Sequence, residues 1–278
     1  MRRFVIVLLA AAVALIAVQA TRAYLSGHRD FERVPMKFEA PLPIEGHLTL
    51  KLKTKSGLGI AASFVPPKNG VAVIMGHGTD TNRTQLWADA ATLTRAGIGI
   101  VALDWPGHGE SEGEIHLGTA EREAFTACVD FLAGREDVTR IGAYGFSQGG
   151  GLLTAFVADE PRVTSLLAVN AWADSIEQQR YEYRRWGPIR QLPALAAIRT
   201  HVENGNLRSI EAAPRLKGRK TLFLASAEDE VVPMQMSQEL AAAAGGRGRV
   251  IEGAHHTDFR EHLPEWPKLL VEFFASSE

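Results

Sequence analysis

The pentapeptide Gly145-Phe146-Ser147-Gln148-Gly149, followed by Gly150, sets a serine between glycines in the pattern G-x-S-x-G. A serine on a sharp strand-to-helix turn needs glycines beside it, because neighbouring side chains would collide there, and the turn lifts its hydroxyl clear of the sheet. Residues 140–144 read as the apolar strand before that turn, and 150–158 as the small-residue helix after it. The positive end of that helix favours the negative charge that develops when the hydroxyl attacks an acyl carbon. Ser147 is the candidate nucleophile.

A serine hydroxyl is a poor nucleophile near neutral pH and needs a base within hydrogen-bond reach, oriented by a third group. Of nine histidines, His255, His256 and His262 lie in the last strand-to-helix region. His256 is preferred as the base. Small residues before it bring the loop close to the strand ends, and two adjacent loop residues do not both aim into one cleft, so His255 is expected to face solvent or support its neighbour.

For the acid, Glu228, Asp229 and Glu230 follow the strand read at 221–225. Asp229 is preferred because a short side chain, with Val231-Val232-Pro233 packing the loop, suits a fixed hydrogen bond to imidazole. The chain order Ser147, Asp229, His256 is the one expected of a G-x-S-x-G turn. After the strand at 71–75 comes Gly76-His77-Gly78-Thr79, placed to supply an oxyanion donor. The backbone N–H groups of Thr79 and Gln148 are the candidate pair, and His77 is read as holding the loop. His255, His256 and Asp258 lack the second ligand group of a metal motif, so no metal or organic cofactor is expected.

The elements that position these residues follow from periodicity. Residues 47–53 and 59–65 alternate in character across Gly57 and predict an antiparallel hairpin. Apolar runs at 71–75, 99–103, 140–144, 165–169, 221–225 and 248–251 read as buried strands. Helical patterns at 86–96, 119–133, 150–158, 234–244 and 266–274 separate them. Strand, loop and helix in that order predict an α/β class, with a mostly parallel sheet covered on both faces and functional residues at the carboxyl ends of its strands.

The 278 residues are 46% hydrophobic and 22% charged, with a net charge of -2, which fits a globular chain and not a disordered one. A balanced charge without a long basic stripe argues against a nucleic-acid partner. One cysteine, Cys128, excludes an intramolecular disulfide.

Met1-Arg2-Arg3 precedes a run, 4–18, without a polar side chain. Segment 1–23 therefore reads as a signal peptide, cut after Val18-Gln19-Ala20, or as an uncleaved anchor. Either places the body outside the cytoplasm, periplasmic or extracellular, and gives membrane association through the N-terminal segment. Residues 24–46 are expected to form a linker and 47–278 the main domain. An insertion at about 173–218 is expected to cap the cleft with Trp172, Tyr181, Tyr183, Trp186, Leu192, Leu195 and Ile198. Arg180, Arg184, Arg185 and Arg190 lie among these residues. They fit either a solvated basic helix face or contact with anionic lipid.

Together, His77-Gly78, Asp104-Trp105-Pro106-Gly107-His108-Gly109-Glu110-Ser111, Gly145 to Gly149, Asp229 with Val232-Pro233, and Gly253 to Asp258 resemble the α/β-hydrolase fold proteins. The resemblance is to the branch of serine aminopeptidase-like and monoacylglycerol-lipase-like hydrolases and spans roughly 49–274. It implies an eight-stranded sheet, a triad of Ser147, Asp229 and His256, and acyl transfer to water through an acyl-enzyme on a small-molecule ester, thioester or lipid-like substrate. His255 stands where that family often has glycine. A peptidase acting on N-terminal residues would use the same triad but needs a carboxylate for the substrate amine, and a binding protein that keeps the turn only as architecture is the third reading.

Overall fold

The computed structural model describes residues 2–29, 31, 44 and 46–276. The chain begins with α1 (Arg2–Arg29) and then forms the hairpin β1 (Leu48–Lys53) and β2 (Gly59–Val65). Six further strands follow the expected apolar runs: β3 (Val71–Gly76), β4 (Gly99–Leu103), β5 (Arg140–Phe146), β6 (Val163–Val169), β7 (Lys220–Ser226) and β8 (Arg247–Ile251). They make one eight-stranded sheet in the order β1-β2-β4-β3-β5-β6-β7-β8. β2 pairs antiparallel with β1 and β4, and the remaining pairs are parallel. β3 and β4 are buried along their whole length, as continuous apolar strands between two helical layers must be.

α2 (Trp87–Arg95) and α9 (Trp266–Ala275) cover one face of the sheet, and α3 (Thr119–Ala133), α4 (Gln148–Val157) and α8 (Met234–Ala244) cover the other. Between β6 and β7 the chain inserts α5 (Ser175–Glu182), α6 (Pro188–His201) and the short α7 (Ser209–Ala212), with 3-10 turns between them. This is the expected helical cap. Tyr183, Leu195 and Ile198 are buried within it, whereas Leu192 stands 64% exposed and does not close over the cleft.

The N-terminal segment departs from expectation. Helix runs unbroken to Arg29, so the first residues of the expected 24–46 linker are helical, and most of the rest of that linker lies outside the described residues. The reason is tertiary. A Cβ added at Gly27 would lie 2.5 Å from the Ala194 carbonyl oxygen, so glycine here lets α1 and α6 touch backbone to backbone. Ala23 is buried, His28 Nδ1 and His201 Nε2 share a hydrogen bond of 2.6 Å, and Phe31 stacks on the His201 ring. Burial and the neighbouring His28 and His116 hold His201 below the ordinary imidazole range.

A buried polar cluster ties the α2/α9 layer to the sheet. The Asp89 carboxylate accepts from Tyr144 Oη at 2.7 Å and Trp266 Nε1 at 2.7 Å, and it pairs with the Arg260 guanidinium. Asp89→Ala would leave a cation and two buried donors without their acceptor. It is expected to cost about 3–5 kcal/mol in urea unfolding. A loss under about 1 kcal/mol would mean that solvent already satisfies the cluster.

Candidate active site

The G-x-S-x-G turn has the geometry its glycines imply. Ser147 adopts φ 53° and ψ -117°, a conformation L side chains rarely take, between β5 and the first turn of α4. A Cβ at Gly145 would lie 2.4 Å from the Gly149 carbonyl oxygen, and one at Gly149 would lie 2.1 Å from that of Gly76. Both glycines are therefore obligatory for the turn. Ser147 N–H donates to the Val169 carbonyl at 2.9 Å, which fixes the turn to the neighbouring strand.

The structure brings Ser147, Asp229 and His256 together from three strand ends. His256 Nε2 lies 3.0 Å from Ser147 Oγ, and His256 Nδ1 lies 2.7 Å from Asp229 Oδ2. Asp229 Oδ1 accepts from the Val231 and Val232 N–H groups at 2.8 and 2.7 Å, so one oxygen anchors the loop and the other is left for the imidazole. All three side chains are buried or nearly so. The cap reaches this group directly, for Tyr181 Oη donates to the Asp229 carbonyl at 3.0 Å.

The competing residues lie elsewhere. His255 is exposed, with Nδ1 3.1 Å from the Glu228 carbonyl oxygen and 3.4 Å from the Glu230 carboxylate. Glu228 and Glu230 are themselves exposed. The left-handed residue of this loop is Gly253, at φ 71°, and His255 takes no positive φ, so the backbone at 255 does not require glycine. His262 faces Asp258 and does not line the pocket. His77 is fully buried. Its Nε2 accepts from Trp105 N–H at 3.2 Å, which leaves the proton on Nδ1, 2.7 Å from the Gly78 carbonyl. Burial holds its pKa well below the usual imidazole range. His77 thus braces the loop that carries Thr79. Cys128 lies on the buried face of α3, its thiol pushed up to about 12, which makes it inert as a nucleophile.

Thr79 and Gln148 sit side by side, with Thr79 Oγ1 donating to Gln148 Oε1 at 3.1 Å. Gln148 opens α4, where first-turn N–H groups have no acceptor within the helix. Among the described residues no cluster of three or more histidine, cysteine or carboxylate side chains has the form of a metal site.

Two positioning residues carry no signal in the sequence. Gln85 Oε1 accepts from Gly78 N–H at 2.8 Å and pins the Thr79 loop. Asn170, buried at φ 50° after β6, donates through Nδ2 to the His256 carbonyl at 2.8 Å and to Ser226 Oγ at 3.0 Å, while its Oδ1 accepts from Ser226 N–H at 2.8 Å. It thereby links the ends of β6 and β7 to the histidine loop.

Ser147 and His256 open into a cavity of about 380 Å³ between the strand ends and the cap. Trp172, Tyr183 and Trp186 supply apolar wall, and Asp80, Glu182 and Arg185 supply charge. Burial pushes the Asp80 and Glu182 carboxyls above the ordinary range. One wall residue, Ser26, comes from α1.

The sheet order, the strained serine turn and the inserted cap define an α/β-hydrolase fold protein. The comparisons agree on the fold: the family model described as alpha/beta hydrolase fold matches residues 72–188. An uncharacterized protein of Mycobacterium tuberculosis is 24% identical over 214 residues, which cover 74% of this chain and 71% of that one. An uncharacterized 31.7 kDa protein of Escherichia coli is 31% identical over 124 residues, 42% of this chain and 43% of its own. An esterase from Pyrococcus furiosus superposes with a TM-score of 0.76 at 17% identity, covering 88% of this chain and 97% of the esterase. An esterase from Exiguobacterium antarcticum superposes at 0.64, also at 17% identity, with 82% and 100% covered.

Proposed function

We propose that this chain is a serine hydrolase that cleaves carboxylic esters or thioesters, including lipid-like ones, through an acyl-enzyme. The observation that carries the reading is the unbroken hydrogen-bonded line from Asp229 through His256 to Ser147 at the floor of a cleft. Ser147 Oγ attacks the acyl carbon while His256 Nε2 takes its proton, and Asp229 holds the imidazole in the tautomer that leaves Nε2 free to accept. Negative charge on the substrate oxygen is met by the N–H groups of Thr79 and Gln148. His256 then returns its proton to the leaving alcohol or thiol. In the second half His256 takes a proton from water as it attacks the acyl carbon and then gives that proton to the departing Ser147 Oγ, which releases the acid and restores the free serine. No step requires a metal or organic cofactor.

α1 is long and apolar enough to cross a membrane by length and composition. We read it as an uncleaved anchor that leaves its two N-terminal arginines in the cytoplasm and the catalytic body outside. Support comes from its continuity into the turns that pack on the cap.

Turnover of a p-nitrophenyl ester series from acetate to laurate tests the reading, with release of p-nitrophenolate expected and a chain-length optimum set by the aromatic wall. Absence of turnover across the series would count against it. A second reading, cleavage of an N-terminal residue from a peptide, has one observation behind it: Asp80 and Glu182 place carboxylates on the wall where a substrate ammonium would need them. Amino-acid arylamides in the same assay separate the two, since an esterase leaves them intact.

A further inference from the structure

Nearly all of the exposed large apolar side chains described in this protein lie on two helices. Leu48 apart, they are distributed along α1, from Ile6 to Leu25, and on the first turns of α6, as Ile189 and Leu192 at 48% and 64% exposure. The end of α1 packs on α6: Gly27 meets Ala194, His28 and Phe31 beyond it meet His201 at the carboxyl end of α6, and Ser26 before it shares the cavity wall with Arg185 and Trp186, which precede the amino end of α6. Just before α6 stand Arg184 and Arg185, and Arg190 follows Ile189; all three are exposed. Arg190 lies over the Trp186 ring at 5.0 Å, and Trp186 and Arg185 line the catalytic cavity together with Ser26 of α1.

We propose that the amino-terminal end of α6 and the turn before it form a second membrane contact, seated on the headgroup layer of an anionic bilayer, with the mouth of the cavity opening onto that layer. The proposal rests on the reading of α1 as a membrane anchor and deepens it. Ile189 and Leu192 continue the apolar surface of α1 sideways, as the buried side of an interfacial helix does. Arg184, Arg185 and Arg190 match lipid phosphates in charge, and Trp186 has the amphipathic ring that settles at an interface. Because Ser26 and Arg185 belong both to this rim and to the cavity wall, an amphiphilic ester lying in the bilayer would reach Ser147 with its headgroup still at the surface. A solvated cap would leave the same apolar side chains facing water with no such function.

The test uses the full chain in vesicles of phosphatidylcholine with phosphatidylglycerol. Cys128 is buried, so a Leu192→Cys variant offers one accessible thiol for a polarity-sensitive fluorophore. A Glu136→Cys variant, exposed just before β5 at the amino end of the strand whose carboxyl end carries Ser147, serves as the control. The Leu192 probe is expected to shift to the blue and to be quenched by spin-labelled lipids, and the Glu136 probe to do neither. Identical, water-like spectra from both would overturn the proposal. Co-flotation of the unlabelled chain with the vesicles tests the anchor separately.

A second arm pairs Ile189→Glu with Leu192→Glu. Turnover of a water-soluble short-chain ester is expected to stay as in the wild type, while turnover of a long-chain ester dissolved in the vesicles falls by about tenfold or more. Equal rates on the vesicle substrate would contradict the proposal. If the wild type cleaves no ester at all, the hydrolase reading fails and the fluorophore arm still decides the membrane contact.

Discussion

Ser147→Ala is expected to lower kcat/KM for an activated ester by about 100,000-fold, with unchanged circular dichroism and urea midpoint. The magnitude follows from losing the nucleophile itself, because the remaining oxyanion donors and binding contacts sustain only a residual rate above water. The fold should tolerate the change, since alanine keeps the Cβ that already sits at φ 53° and removes only the hydroxyl. Its partner at 3.0 Å, His256 Nε2, retains Asp229 on the far side of the ring and so keeps its place. Steady-state hydrolysis of p-nitrophenyl butyrate checks the prediction. A variant within about a hundredfold of the wild type would mean that the measured cleavage does not pass through Ser147.

The second large effect is expected at Asp229→Asn, about 10,000-fold in kcat with a small change in KM. The two loop N–H groups of Val231 and Val232 already claim one side-chain oxygen, so asparagine must keep its carbonyl there and turn its amide toward the ring. An N–H then faces His256 Nδ1, which is stable only if the imidazole moves its proton to Nε2. In that tautomer the ring cannot accept the proton of Ser147. The loop survives because the hydrogen bonds that hold it survive, which is why asparagine is more informative here than alanine. The check is kcat on the same ester, and a loss smaller than about tenfold would show that the tautomer is set by something other than this carboxylate.

The serine turn was legible because its constraint is steric and local: Gly145 and Gly149 each meet a backbone carbonyl at a distance no Cβ survives, and only glycine leaves that mark. Buried parallel strands were legible for a related reason, since β3 and β4 have helices on both sides and allow no polar residue. His256 and Asp229 needed chain order and loop context to be picked from neighbouring histidines and carboxylates, and it is the geometry that separates them, with His255 and Glu230 pointing to solvent. Gln85 and Asn170 could not have been found. Each acts through hydrogen bonds to backbone groups remote in the chain, and an isolated amide residue looks the same in any loop.

The end of α1 was misread for a similar reason. Residues 24–29 have the mixed composition of a linker, and what keeps them helical is the seat that Gly27 finds against Ala194, far away along the chain. The rotation of α6 follows from that same contact, so the exposure of Leu192 was equally hidden. Long-range packing between two short apolar surfaces leaves no period in either sequence.

The central claim is that Ser147 is a nucleophile activated by His256 and Asp229, and its most direct test is covalent. The full-length chain in detergent is treated with a fluorophosphonate and analysed by intact mass and peptide mapping. One adduct on Ser147 is expected in the wild type, none in Ser147→Ala, and a greatly slowed one in His256→Ala. A folded wild type that takes no label, or an adduct that persists in Ser147→Ala, would contradict the account.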